Sequence, residues 1–128
     1  GNQLFSKRVR LPNEMAILEK RGDHTAIFEL QGSLFFGNAN QLYSALEHDI
    51  KKRAHIILDM RRVHSVDLTA VHMLEQIQGI LAERKALLIF SHLPEHTPSG
   101  QDMRKYFEAL GLPNASSPAG TQRLFTVD

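Results

Sequence analysis

Two carboxylates and two hydroxyls near the middle of the chain are its first candidates for chemistry. Asp59 and Asp67 are carboxylates, and a pair of carboxylates can act as general acid and general base in catalysis. Asp59 ends an apolar run and Asp67 precedes a helical pattern, so a strand end and a helix cap account for both. Thr69 is a candidate phosphate acceptor, because negative charge is favourable at a helix N-terminus. Its simpler role is in the first turn, and Ser65 has only the marks of a loop residue. We predict no catalytic residue.

The seven histidines are the next candidates, as metal ligands. His64 and His72 are eight apart, and His92 and His96 are four apart. Neither pair belongs to a His-Glu-x-x-His pattern, and the chain has no cysteine to complete a zinc site. We therefore interpret them as surface or junction histidines and predict no metal. The absence of cysteine also excludes a disulfide framework and thiolate chemistry.

Composition sets the class of protein. A chain of 128 residues with 42% hydrophobic and 23% charged residues is typical of one globular domain. The net charge of +1 and the lack of an arginine-rich stripe argue against a nucleic-acid partner. No apolar run reaches the roughly 18 residues that a membrane span needs.

The stretch from His55 to Leu81 must position the candidate residues. The run Ile56-Ile57-Leu58 is typical of a central strand that is covered on both faces. An apolar stripe at helical spacing follows, made of Val71, Leu74, Ile77 and Leu81 and widened by Met73 and Ile80. Between strand and helix lies the polar junction Val63–Ala70. In open α/β sheets, binding sites collect at such junctions.

The remaining elements follow in order. Residues 1–13 form a basic leader or linker, with an edge segment as the alternative, and residues 14–128 form the domain. Strands are predicted at 14–20, 25–30 and 86–90. Helices are predicted from Asn38, with Gln41 completing a capping box, and over Ser99–Leu110, ended by Gly111. Arg84 and Lys85 would complement the C-terminal pole of the central helix. Leu124 and Phe125 suggest a short strand, and Thr126–Asp128 the start of a truncated last helix.

This order of elements resembles the STAS domain, the family named for sulphate transporters and anti-sigma-factor antagonists. The most telling residues are IILDMRRVHSVDLTAVHML, where the family has a strand, an aspartate, a short crossing and an Asp-Ser/Thr-Ser/Thr-Gly turn opening a helix. Asp67 matches the aspartate of that turn, Leu68 its first hydroxyl position, Thr69 its second and Ala70 its glycine. GSLFFGNANQL, from Gly32 to Leu42, and RLFTVD, from Arg123 to Asp128, are similar to the transporter branch.

The resemblance implies an α/β fold with a mixed sheet of four to five strands, mostly parallel with an antiparallel edge, and helices packed against it. It implies a non-catalytic regulatory domain on the cytoplasmic side of a sulphate-permease-type anion transporter. Its partner would be the transporter's membrane domain, a neighbouring subunit or a cytosolic regulatory protein. The alternatives are a free-standing antagonist that binds a kinase, or a nucleotide-binding sensor; no other cofactor is expected.

The candidate partner-docking surface, which is also the candidate anion or nucleotide site, is the junction itself. In free antagonists of the family, the first hydroxyl of the turn accepts phosphate, and here that position is Leu68. A nucleotide would use the exposed amides of the helix N-terminus, but there is no Gly-rich loop and Asp67 places negative charge beside it. The predicted site residues are Val63, His64, Ser65, Val66, Asp67, Leu68, Thr69 and Ala70.

Overall fold

A five-stranded mixed sheet carries three helices in the computed structural model, which describes residues 5–11, 15–97, 100 and 102–109. The strands are β1 (Phe5–Leu11), β2 (Met15–Arg21), β3 (Thr25–Leu34), β4 (His55–Val66) and β5 (Leu87–Ser91). The helices are α1 (Phe36–Lys52), α2 (Leu68–Glu83) and α3 (Met103–Ala109).

The strands lie side by side in sequence order. β1–β2 and β2–β3 pair antiparallel, whereas β3–β4 and β4–β5 pair parallel. Each parallel connection runs through one helix, α1 and then α2, and right-handed crossovers in one direction place both helices on the same face. The two helices accordingly pack against each other. The predicted fold class, a mixed α/β sheet with an antiparallel edge, is confirmed.

One hydrophobic core fills the space between the sheet and the helices. Ile56 and Leu58 of β4 are fully buried there, and the predicted α2 stripe from Val71 to Leu81 meets them. Phe107 of α3 makes an edge-to-face contact with Phe90 of β5, with ring centroids 4.9 Å apart. Aromatic pairs in this geometry add stability beyond the area that they bury.

A buried ion cluster joins the end of α1 to β2. The carboxylate of Asp49 is fully buried; it accepts bonds from Arg21 Nη2 at 3.0 Å and Arg53 Nε at 3.0 Å. Arg21 Nη1 also donates to Glu19 at 2.8 Å. Burial by itself lowers the pKa of Arg21, but the bonds and charges of Asp49 and Glu19 outweigh it, so the pKa is raised. Arg21 therefore keeps its charge throughout the neutral pH range.

Arg84, at the end of α2, also makes contacts with the end of α1. Its guanidinium donates to Ile50 O at 2.7 Å and to Arg53 O at 2.7 Å, which are carbonyls at the end of α1. The last carbonyls of a helix have no hydrogen-bond donors within the helix. At the end of α1, the side chain of Arg84 provides such donors. Arg84 is the C-cap of α2, the position that the sequence predicted, and its bonds to the end of α1 are an additional role.

Several predicted boundaries shift. β1 covers Phe5–Leu11, inside the basic segment, and pairs along its length with β2 as an edge strand. β3 continues beyond residue 30 to Leu34, with register irregularities, since it pairs with the long β4. Asn38 is not the cap of α1 but its third residue, and its Oδ1 accepts from Phe35 N at 2.9 Å. Ser99, Gly111, Leu124, Phe125, Thr126–Asp128 and Arg123 lie outside the described residues.

Candidate functional site

The junction between β4 and α2 is much shorter than the sequence suggests. β4 extends through Val66, and α2 begins at Leu68 with Asp67 as its N-cap. Val63 to Val66 are therefore strand residues rather than a crossing. The prediction that Asp59 ends the strand is wrong for the same reason, because β4 continues seven residues further along β3.

Burial divides the eight predicted residues in two. Val63, Val66 and Ala70 are core residues with 0–3% of their surface exposed. The exposed residues are His64, Asp67, Leu68 and Thr69, and Ser65 is half-buried. A partner or ligand would therefore meet this second group, while the first holds the junction in the core.

Asp67 binds the starts of both long helices together. Its Oδ1 accepts from Ala70 N at 2.9 Å, which caps α2, and its Oδ2 accepts from Phe36 N at 3.1 Å in the first turn of α1. Its backbone N also donates to Leu34 O at 3.0 Å. The parallel pairing of β3 with β4 makes this possible, because both strands end at the same edge of the sheet. The role of Asp67 as an N-cap is thus seen in the structure.

Two large apolar side chains are exposed beside this clamp. Phe36 keeps 73% of its surface exposed and Leu68 54%. A cavity of about 420 Å³ runs from Phe36 between α1 and α2, with Tyr43 and Thr69 among its lining residues. His72 lines it too, one turn of α2 beyond Leu68. We call Phe36, Leu68, Thr69, His72 and Tyr43 the junction surface. Exposed apolar residues beside a groove are typical of interaction sites.

The other chemical candidates are kept apart. Asp59 accepts from Arg61 N at 2.9 Å and lies 3.5 Å from His92 Nδ1, whereas Asp67 is engaged with the helix starts. They do not form a catalytic pair. Among the residues that the structure describes, no group of three or more His, Asp or Glu is arranged to hold a metal ion. Within the same residues, no helix is long and apolar enough to span a membrane.

The helix N-terminus offers little to an anion or nucleotide. The amide of Ala70 is bonded by Asp67, and that carboxylate stands where a phosphate would approach. Thr69 is exposed and is one of the residues that line the cavity. At position 68 the side chain is leucine, which offers no hydroxyl. The nucleotide site and phosphorylation at Thr69 stay predictions.

Sequence reasoning missed α1's contribution to this surface. Phe36 is not among the eight predicted site residues. It is exposed because it is the first residue of α1 and its ring lies beyond the edge of the core. Only the resemblance of the LFF step to a family marker pointed to this residue.

A mixed sheet with both crossover helices on one face defines a mixed α/β domain. The family model described as the STAS domain matches residues 16–113. The chain belongs to the STAS domain family.

Two curated relatives differ in overall nature. The putative sulfate transporter YvdB of Bacillus subtilis is 33% identical over 89 residues, 66% of this chain and 17% of its own length. Glutaminase 2 of Bradyrhizobium diazoefficiens is 30% identical over 92 residues, 72% of this chain and 15% of its own length. The chain thus spans about a sixth of the length of these relatives.

The solved structures that resemble the chain include a sulfate transporter family protein and an anti-sigma factor antagonist. A sulfate transporter family protein from Wolinella succinogenes is 31% identical, with a TM-score of 0.52 over 68% of this chain and 71% of that one. An anti-sigma factor antagonist from Mycobacterium paratuberculosis has a TM-score of 0.64 over 89% of this chain and 96% of that one. It is 11% identical, so this likeness concerns the fold.

Proposed function

We propose that the chain is the cytoplasmic, non-catalytic regulatory domain of a sulphate-permease-type anion transporter. It docks through the junction surface onto the transporter's membrane domain or a neighbouring subunit. The observation that carries the docking role is the exposure of Phe36 and Leu68 side by side at the starts of α1 and α2. The transporter context is supported by identities of 33% and 31% to two sulfate transporter relatives.

The chemistry of the surface favours a packing partner over a reaction. Burying Phe36 and Leu68 against a partner removes apolar area from water, which stabilises a complex by roughly 25 cal/mol per Å². Thr69 and His72 add hydrogen-bonding groups on the rim of the same cavity. The clamp by Asp67 fixes the two helix starts relative to each other, so the surface is formed before a partner arrives. Preorganisation of this kind lowers the entropic cost of binding.

The transporter context can be tested on the native protein. An antibody raised against this domain should detect, in cells of the source organism, a chain several times larger than 14.5 kDa. That chain should stay with the membrane fraction after extraction with alkaline carbonate. A free chain of about the present size in the soluble fraction would contradict the proposal.

The second candidate function is that of an antagonist switched by a kinase, and it depends on Thr69 as the phosphate acceptor. Thr69 is exposed in the first turn of α2, where added phosphate would face a helix N-terminus. Mass spectrometry of the immunoprecipitated native chain decides between the two. Unmodified Thr69 under all growth conditions agrees with the docking role, and stoichiometric phosphate at Thr69 would replace it with the switch.

A further inference from the structure

The sheet face opposite α1 and α2 holds a second cavity, of about 310 Å³. Arg8 and Arg10 of β1 line it, together with Gly32 and Ser33 of β3 and His64 of β4. Among the lining residues that the structure describes are two arginines and no carboxylate. We propose that this cavity binds a phosphate-class oxyanion, either free in solution or as the headgroup of an anionic lipid.

The pairing of the strands explains why both arginines lie beside this cavity. Arg8 and Arg10 are two residues apart on β1, so both project to one face, while Val9 between them lies opposite the core residue Ile17. In register across the sheet, Arg10 lies opposite Ala16, and Ala16 lies opposite Gln31. The short side chain of Ala16 between two long ones leaves the space that an anion would fill.

Among the described residues, the charge in this cavity is not balanced by a neighbouring acid. Within the residues that the structure describes, neither Arg8 nor Arg10 forms an ion pair. The nearby carboxylate of Glu29 is bound by Lys20 at 2.7 Å. An oxyanion supplies the missing negative charge, and the fork of a guanidinium matches two oxygens of a phosphate at once. Ser33 and His64 are further hydrogen-bonding groups on the lining.

The backbone is irregular at the base of the cavity. The register of β3 against β4 shifts between Gly32 and Ser33, and Gly32 has a φ of 113°, which favours glycine. Such irregularities interrupt a regular ladder and are over-represented next to binding sites. Gly32 thus lets the strand bend away where the cavity forms, and no side chain of its own fills the space.

Nuclear magnetic resonance on the 128-residue chain tests the proposal. Sodium phosphate is titrated against sodium chloride at matched ionic strength, and the amides of Gly32, Ser33 and His64 are followed. The double variant Arg8→Gln, Arg10→Gln should lower the affinity for phosphate, measured from these shifts, about tenfold or more. The control is Lys7→Gln, which removes one positive charge, half of the loss in the double variant, from an exposed residue of β1 that projects to the other face. It should change the affinity less than about twofold.

Vesicles separate the two sources of phosphate. Phosphatidylcholine vesicles with and without phosphatidic acid are sedimented with the chain and with both variants. Phosphate-dependent shifts that need Arg8 and Arg10 support the proposal with a free anion. Sedimentation with phosphatidic acid that needs the same arginines, without shifts in free phosphate, supports it with a lipid headgroup. No binding in either experiment, or an equal loss of binding in the double variant and in Lys7→Gln, would overturn the proposal. The arginines would then only prevent the edge strand β1 from pairing with another chain.

Discussion

Replacement of Asp67 by alanine removes two hydrogen bonds that hold the starts of α1 and α2 together. The bond to Ala70 N at 2.9 Å is an N-cap, and loss of an N-cap costs about 1 kcal/mol. The bond to Phe36 N at 3.1 Å is charge-assisted but exposed to solvent, so its loss costs about 0.5–1 kcal/mol. We expect Asp67→Ala to lower the free energy of unfolding by about 1.5–2 kcal/mol, and Tm by about 5–8 °C.

Urea unfolding followed by circular dichroism measures this loss. Asp67→Ser should lose about half as much, since serine caps a helix well but its single hydroxyl cannot also reach Phe36 N. Glu75→Ala is the matched control, because Glu75 is an exposed carboxylate in the same helix. The midpoint should fall without a change in the slope with urea. Equal midpoints for Asp67→Ala and Glu75→Ala would refute the clamp between the helices.

Three further variants test other parts of the fold by the same measurement. Asp49→Asn should lower the free energy of unfolding by about 2–3 kcal/mol, because two guanidiniums lose a buried charged partner. The control Glu47→Gln, on the exposed side of α1, should change it little, and equal effects of the two variants would contradict the ion cluster. Arg84→Gln should cost about 1–2 kcal/mol through the lost bonds to the end of α1, with Lys85→Gln as control, and a neutral result would refute that role. Leu68→Ser should stay within about 0.5 kcal/mol of the parent chain, and a larger loss would mean that Leu68 is needed for folding rather than for docking.

The layout of the sheet and its core could be predicted from hydrophobic patterns. The run Ile56-Ile57-Leu58 is in the central strand β4, between β3 and β5. Ile56 and Leu58 lie in the core under the helices, whereas Ile57, which is 5% exposed, points to the opposite face of the sheet. The stripe from Val71 to Leu81 is buried as its helical spacing indicated. Ile80, added to that stripe, is 37% exposed, because it lies at the margin of the face that packs on the sheet.

The contacts that join elements distant in sequence could not be predicted. Asp49 sits among solvated residues of α1, and only the fold brings Arg21, 28 residues away, against it. Arg84 reaches α1 for the same reason. The candidate site was predicted in part: Asp67 and Leu68 came from the junction pattern. Phe36 required the parallel register that places the end of β3 beside the end of β4.

Thiol labelling directly tests the central claim, that the transporter's membrane domain or a neighbouring subunit covers the junction surface. The chain has no cysteine, so Leu68→Cys gives one reactive site in this domain, and Ile80→Cys gives a matched exposed control at the far end of α2. Maleimide labelling rates are compared between the 128-residue chain and the intact native protein in membranes, with cysteines outside the domain replaced. We predict that labelling at position 68 slows about tenfold or more in the intact protein while position 80 is unchanged. Equal rates at position 68 in the two forms would contradict the claim.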